Sequence, residues 1–270
     1  RLAEDLALVA RFKPPVVVTA LGSPKPAIEV VHAYGGLVIA DVISVGLAKK
    51  AVAAGADGLA CVCAGAGGHT GFLSPFAFVS AVREFFDGYV ITGSPASVND
   101  EKLVWLGPFL DFIRQVDAAK QPLIGLCFGH QAVARALGGQ VSRHPEGWGL
   151  GAATTHWRKS SPWMQPALAA TTLMAAHNEQ VTQIPEGALC LGGSDFCTIG
   201  SMQMGQHIWT TQYHPEMSLK FMQALLVYLT DKLDARTLEN ANTSLSNVAD
   251  APMFSRWMVQ FIEHARDLKK

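Results

Sequence analysis

Pro122-Leu-Ile-Gly-Leu-Cys-Phe-Gly-His-Gln131 is a short apolar run ending in a cysteine that has a glycine two residues away on either side. It reads as a strand, a tight turn and the start of a helix. Gly125 and Gly129 leave room around Cys127, so a strained turn can push the thiol out above a sheet edge, as in a nucleophile elbow. A thiol placed there sits at a helix N-terminus, where unpaired backbone N–H groups and the helix dipole favour the thiolate. The same ten residues also fit a buried cysteine on a core strand. A base elsewhere in the chain decides between the two.

Trp209-Thr-Thr-Gln-Tyr-His-Pro-Glu216 supplies a candidate base. A β-prone run ends in His214, which could take the thiol proton, and Glu216 could orient the imidazole. Pro215 between them fixes the local backbone. Earlier in the chain, Thr92-Gly-Ser-Pro-Ala-Ser97 ends another apolar strand and offers backbone N–H groups to an oxyanion.

Taken together, the elbow, the His-Pro-Glu and the turn resemble the class I glutamine amidotransferases. The signatures of that family are Gly-x-Cys-x-Gly-x-Gln, a later His-Pro-Glu and an earlier Gly-Gly-Pro loop. The resemblance implies that Cys127 attacks the side-chain amide of glutamine, that His214 is the general acid and base, and that Glu216 orients it. It also implies an oxyanion held by the N–H of Phe128 and by the Gly93-Ser94 turn, where serine replaces the second glycine of the family. Gln131 matches the glutamine of the motif, near the substrate. His177-Asn-Glu-Gln-Val181 resembles a His-x-Asp-x-Val segment tied to recognition of the substrate amino group, with Glu179 in place of aspartate. Gly147-Trp-Gly-Leu-Gly151 resembles a Gly-Trp-Glu-hydrophobic-Gly segment but carries Gly149 where the family has an acid. Core packing is the expectation for Trp148.

Composition sets the frame. A chain of 270 residues, 49% hydrophobic and 16% charged, can bury one large α/β core or two small ones. Its net charge of −1, with no dense basic run, suggests neither a nucleic-acid track nor an anionic membrane surface. Five cysteines without Cys-x-x-Cys or Cys/His metal spacing point to reduced thiols in a cytoplasmic setting and to no metal. His130, His144, His156 and His264 also lack ligand spacing. No apolar run reaches membrane-spanning length and no leader pattern is evident; the start at Arg1 points to a processed chain or a fragment.

Strand and helix alternate from the start. Helix through Arg11, strand 16–21, helix 26–33, strand 37–40, helix 41–54 and strand 57–63 predict a parallel sheet with helices on its faces. The third strand leads into Ala64-Gly-Ala-Gly-Gly-His-Thr-Gly71, most simply a strand-to-helix connection with His69 a loop residue. Residues 12–88 nevertheless resemble the middle of a nitronate monooxygenase, an FMN-dependent TIM-barrel family whose Gly-Gly-His base would be His69. So few βα units cannot close an eight-stranded barrel.

The two resemblances meet near Phe86-Asp87-Gly88, so the chain looks like a chimera of a segment 1–88 and an amidotransferase-like domain 89–270. The expected fold is α/β, a doubly wound, mostly parallel sheet of flavodoxin-like type, with the N-terminal βα units docking beside strand Tyr89–Thr92. Helices are expected over 101–116, 218–233 and the C-terminal stripe Phe254, Trp257, Met258, Phe261 and Ile262, with 236–250 a loop or loose helix.

The expected activity is amide hydrolysis on glutamine or a γ-glutamyl compound through a Cys127 thioester, without a cofactor. An acceptor or synthetase would come from a partner protein. The alternatives are an FMN-dependent oxidoreductase centred on His69, or an inactive chimera.

Overall fold

The computed structural model describes residues 2–20, 22–61, 88–246 and 250–268. The chain divides into two compact units, Arg1–Phe86 and Asp87–Lys270. In the first, α1 (Leu2–Phe12), β1 (Val16–Thr19), α2 (Lys25–His32), β2 (Leu37–Val42), α3 (Val45–Ala53) and β3 (Gly58–Cys61) alternate as the sequence predicts. The strands form a parallel sheet in the order β1-β2-β3. Asp41 and Val42 extend β2 instead of starting the next helix, which begins only after Ser44, whose side chain accepts the N–H of Leu47.

The second unit contains β4 (Tyr89–Ile91), α4 (Leu106–Ala118), β5 (Leu123–Leu126), α5 (Phe128–Ala136), β6 (Gln140–Arg143), β7 (Gly149–Trp157), β8 (Ala170–His177), β9 (Glu179–Gln183), β10 (Ala188–Gly193), β11 (Ser201–Met204) and β12 (Ile208–Thr211). Then come α6 (Leu219–Leu229), α7 (Ala235–Ser244) and α8 (Ala251–Asp267). Seven strands run β4-β5-β12-β11-β10-β7-β8, and β6 pairs with β9 separately.

The α/β class is as expected. Pairing is parallel along β4-β5-β12 and antiparallel from β12 through to β8. The antiparallel part follows from connection length, because the few residues between β10, β11 and β12 allow turns and leave no room for a helical crossover. All seven strands lie within residues 89–211, with Tyr89–Ile91 at one edge. A three-residue β4 keeps that edge short.

Every residue of β5 is buried, as a strand covered on both faces requires. Leu123 packs on one side with Ile113 and Val116 of α4 and with Phe128, Ala132 and Val133 of α5. Ile124 and Leu126 pack on the other with Trp209 and with Phe254, Trp257 and Phe261 of α8. Trp209 stacks on Phe254 with ring centroids 4.8 Å apart. Each such ring withdrawn from water contributes about 2–3 kcal/mol, which makes the C-terminal stripe a core element.

The glycines of the elbow are required by contact. A Cβ on Gly125 would lie 2.7 Å from the backbone of Gly129, and one on Gly129 would lie 2.3 Å from the carbonyl oxygen of Ile91. Strand and helix therefore touch backbone to backbone. Gly129→Ala should destabilise the protein by about 1–3 kcal/mol in denaturant unfolding, because β4 must move. Gly107→Ala, with nothing within 4 Å of the added carbon, should be neutral or slightly stabilising. Equal effects of the two changes would show that the close approach does not hold.

Candidate active site

Parallel neighbours end at the same sheet edge, so the ends of β4, β5 and β12 converge. Ile91 pairs with Gly125, and Leu126 pairs with Thr211. The next residue after β5 is Cys127, at φ 50° and ψ −103°, and α5 starts immediately behind it. A non-glycine residue at positive φ is strained, and here the strain is fixed by the backbone bond from Cys127 N–H to Thr211 C=O at 2.8 Å. The N–H of Phe128 is the first of the helix and has no partner inside it.

Past the end of β12 the chain is held by the N–H of His214, which donates to Met174 C=O of β8 at 2.8 Å. Nδ1 of His214 lies 2.6 Å from Oε1 of Glu216, whose side chain is half exposed. Nε2 is buried without a formed hydrogen bond. Burial pulls the imidazole pKa down, but the Cys127 sulfur and the Glu216 carboxylate favour the charged ring more strongly, and the pKa rises to about 9. Gly93 completes the cluster. A Cβ there would lie 2.8 Å from Cε1 of His214 and 3.7 Å from Cβ of Cys127, so the turn after β4 packs directly on both groups.

The other expected residues are more dispersed. Ser94 is exposed and its hydroxyl accepts the N–H of Ala96 at 3.1 Å. Gln131 is buried and donates through Nε2 to Glu179 C=O at 2.6 Å and to Gln212 Oε1 at 3.2 Å. Glu179 accepts the Ser97 hydroxyl at 2.7 Å and lies 3.8 Å from Arg143, so its longer carboxylate ties down the Thr92–Ser97 turn. His177 stands at the end of β8 against a cavity of about 870 Å³. Trp148, expected in the core, is half-buried and lines the same cavity. His130 is a satisfied core residue: Nδ1 meets Thr210 Oγ1 at 2.7 Å and Nε2 meets Ile199 C=O at 3.0 Å, while burial lowers its pKa to about 4. His69, Cys63 and the glycine loop around His69 lie outside the described residues.

Sequence reasoning missed Gln212. It is fully buried, and its Nε2 donates to Sγ of Cys127 at 3.6 Å while its Oε1 accepts from Gln131. Its signal was position: it follows β12 as Cys127 follows β5. A donor aimed at the sulfur stabilises a thiolate. Gln212→Leu should reduce turnover of a γ-glutamyl amide by about 10- to 100-fold, the worth of one hydrogen bond to a charged group. An unchanged rate would remove Gln212 from the site.

Among the described residues, no group of three or more His, Cys, Asp or Glu side chains could hold a metal, and no helix is long and apolar enough to cross a membrane. Cys127, Cys190 and Cys197 are in no disulfide.

The family model for glutamine amidotransferase class-I matches residues 76–229, beginning ahead of the Phe86–Gly88 seam expected from the sequence. The chain is 27% identical over 143 residues to gamma-glutamyl peptidase 3 of Arabidopsis thaliana, covering 51% of this chain and 57% of that protein. It is 31% identical over 133 residues to a subunit of GMP synthase (glutamine-hydrolyzing) from Methanosarcina mazei, covering 49% of this chain and 65% of that one. The matches thus span less than two thirds of either relative. A glutamine amidotransferase of Thermotoga maritima superposes with a TM-score of 0.55 at 18% identity, covering 67% of this chain and 80% of that one. A glutamine amido transferase from Methylobacillus flagellatus gives 0.55 at 23% identity, covering 68% and 76%. These two likenesses concern the fold. With a family match over more than half of its length, laid across the elbow, the His-Pro-Glu and the strands that bring them together, this chain belongs to the class I glutamine amidotransferases.

Proposed function

We propose that the protein hydrolyses the side-chain amide of glutamine, or the matching amide of a γ-glutamyl compound, through a thioester on Cys127. The observation that carries this reading is a thiol held at positive φ on a helix N-terminus, with a Glu216-bound His214 and Gly93 packed against it on the same sheet edge.

In this cycle the Cys127 thiolate attacks the γ-carbonyl carbon and the carbonyl electron pair moves onto oxygen. The Phe128 N–H and the Gly93-Ser94 turn receive that oxyanion. On collapse the C–N bond breaks, its electron pair leaves with nitrogen, and the nitrogen takes the proton of His214. His214 then accepts a proton from water as the hydroxide adds to the thioester, which releases glutamate and restores the thiol. Every proton is moved by His214 or water, so the cycle needs no bound cofactor. The likeness to gamma-glutamyl peptidase 3 supports release of the product to solvent. The likeness to a synthase component supports transfer of ammonia to an acceptor on another chain.

Labelling with a diazo-ketone analogue of glutamine, followed by mass spectrometry, tests the site. Cys127 should be modified selectively over Cys61, Cys63, Cys190 and Cys197, and the selectivity should vanish in His214→Ala. Reaction of Cys127 no faster than the others would mean that no assembled nucleophile exists.

A further inference from the structure

Glu179 is bonded in two directions. Through its main chain, its C=O accepts Nε2 of Gln131 at 2.6 Å, and Gln131 stands on α5 with its own N–H bonded to Cys127 C=O at 3.1 Å. Through its side chain, Oε2 accepts the Ser97 hydroxyl at 2.7 Å, the length of a charge-assisted bond. One residue at the start of β9 thus joins the elbow helix to the turn after β4.

The contacts close on the sulfur. Gln131 Nε2 also donates to Gln212 Oε1, and Gln212 Nε2 donates to Cys127 Sγ. On the other side, Ser97 belongs to the turn whose Gly93 packs on Cε1 of His214 and Cβ of Cys127. A ring of contacts therefore runs from the thiol through Gln212, Gln131, Glu179 and Ser97 back to the turn that packs on the thiol.

Other anchors hold the chain beyond this turn. Val98 is buried in the core that includes Phe128, and Asn99 Nδ2 donates to Val141 C=O of β6 at 3.0 Å. Thr92, Ser94 and Pro95 are exposed, and Ser97 is the anchor that lies nearest to them. Arg143, paired with Glu179 across β6 and β9, is 80% exposed and 3.8 Å from Oε1, so its pull on the carboxylate is weak.

Resting on the amide-hydrolase reading, we propose that Glu179 is a positioning residue. By gripping Ser97 it holds the Gly93-Ser94 turn in register with Cys127, where the oxyanion forms. Its length matters, because an aspartate, the residue of the segment it resembles, ends one methylene short of the Ser97 hydroxyl. What it positions is a donor to the transition state, so its loss falls on kcat and leaves KM nearly unchanged.

The test measures hydrolysis of γ-glutamyl para-nitroanilide by variants of the full chain. Glu179→Ala and Glu179→Asp should each lower kcat by about 10- to 100-fold, the cost of displacing an oxyanion donor by about 1 Å. Glu179→Gln keeps the length and an acceptor oxygen, and should recover most of the loss. Alkylation of Cys127 by iodoacetamide, which forms no oxyanion, should keep the wild-type rate in all three. Ser97→Ala combined with Glu179→Ala should lose no more than Ser97→Ala alone. A raised KM, with Glu179→Gln as impaired as Glu179→Ala, would put the carboxylate on the substrate and overturn the proposal. Slowed alkylation would overturn it too, since the damage would then reach the nucleophile.

Hydrogen exchange separates the proposal from the hydrolase reading. The N–H groups of Asn99 and Asp100 are bonded to Oγ and C=O of Ser97 at 3.1 and 3.3 Å, so they report how firmly Ser97 is held. Both should exchange at least about tenfold faster in Glu179→Ala, and at the wild-type rate in Glu179→Gln. Unchanged exchange in Glu179→Ala removes the positioning role even where the wild type hydrolyses the anilide. A wild type that hydrolyses neither glutamine nor the anilide ends the hydrolase reading, and exchange still decides whether Glu179 holds the turn.

Discussion

Cys127→Ala should abolish hydrolysis of a γ-glutamyl amide, by a factor on the order of 10⁴ to 10⁶, because the proposed acyl intermediate forms on the Cys127 sulfur. The thiol is also where the fold stores strain. At φ 50° the backbone of residue 127 lies in a region that suits glycine, and Ala keeps the strain while Gly relieves it. Cys127→Gly should therefore be equally inactive yet more stable than Cys127→Ala by about 1 kcal/mol in urea unfolding. Activity and stability then part company at one position, which is the pattern expected when a strained turn exists to present a nucleophile. Residual turnover in the alanine variant above a hundredth of the wild type would end the thioester reading. Equal stability of the two variants would show that the elbow is not strained.

The parts of the site that are local in sequence were legible, and the parts assembled from distant segments were not. Gly125, Cys127 and Gly129 announce the elbow because their spacing marks close backbone approach: Gly125 faces the backbone of Gly129 across the turn, and Gly129 faces the carbonyl of Ile91 on β4. His214 and Glu216 are two residues apart and bonded to each other. By contrast Gln212 reaches Cys127 only because β5 and β12 are neighbours, a pairing no local pattern announces. The cavity draws on residues between 146 and 240, and the meaning of Gly149 appears only when Phe196 and His177 are seen against it. Glu179 resembles a substrate ligand in the sequence, and in the fold its Oε2 accepts the Ser97 hydroxyl while its Oε1 lies 3.8 Å from Arg143.

The same division holds for the fold. The βα alternation before residue 61 and the amphipathic helix at 251–267 follow from apolar periodicity, which is a local signal. Residues 236–250 read as a loop or loose helix because Asn, Ser and Thr compete with helical hydrogen bonds. The structure forms α7 there, nucleated by Asp234, whose side chain accepts the N–H of Thr237 at 2.9 Å. The antiparallel half of the large sheet is set by the short connections between β10, β11 and β12, a pairing that helix-strand alternation elsewhere in the chain does not announce.

His214→Gln should lower turnover by about 10³-fold or more, since both proton transfers of the proposed cycle pass through the imidazole. Its pH dependence is more discriminating than its size. The folded-state pKa of His214, raised from 6.5 to about 9, means that folding favours the protonated ring. The resulting stabilisation is fully present below pH 6.5 and is lost as pH rises through about 9. Because Glu216 is half exposed, solvent screens its share, and the contribution is about 2 kcal/mol. Urea midpoints measured from pH 6 to pH 10 should therefore fall more steeply for the wild type than for His214→Gln, with the two curves converging above pH 9. Turnover should follow the same limb, because a ring that has lost its proton cannot supply one to the departing nitrogen. In Glu216→Gln the raising influence of the carboxylate is gone, so the alkaline fall in kcat/KM should move toward neutral pH while Cys127 remains the labelled residue. Parallel stability curves for wild type and His214→Gln across this range would mean that His214 carries no extra proton in the folded protein, and the acid half of the cycle would need another donor.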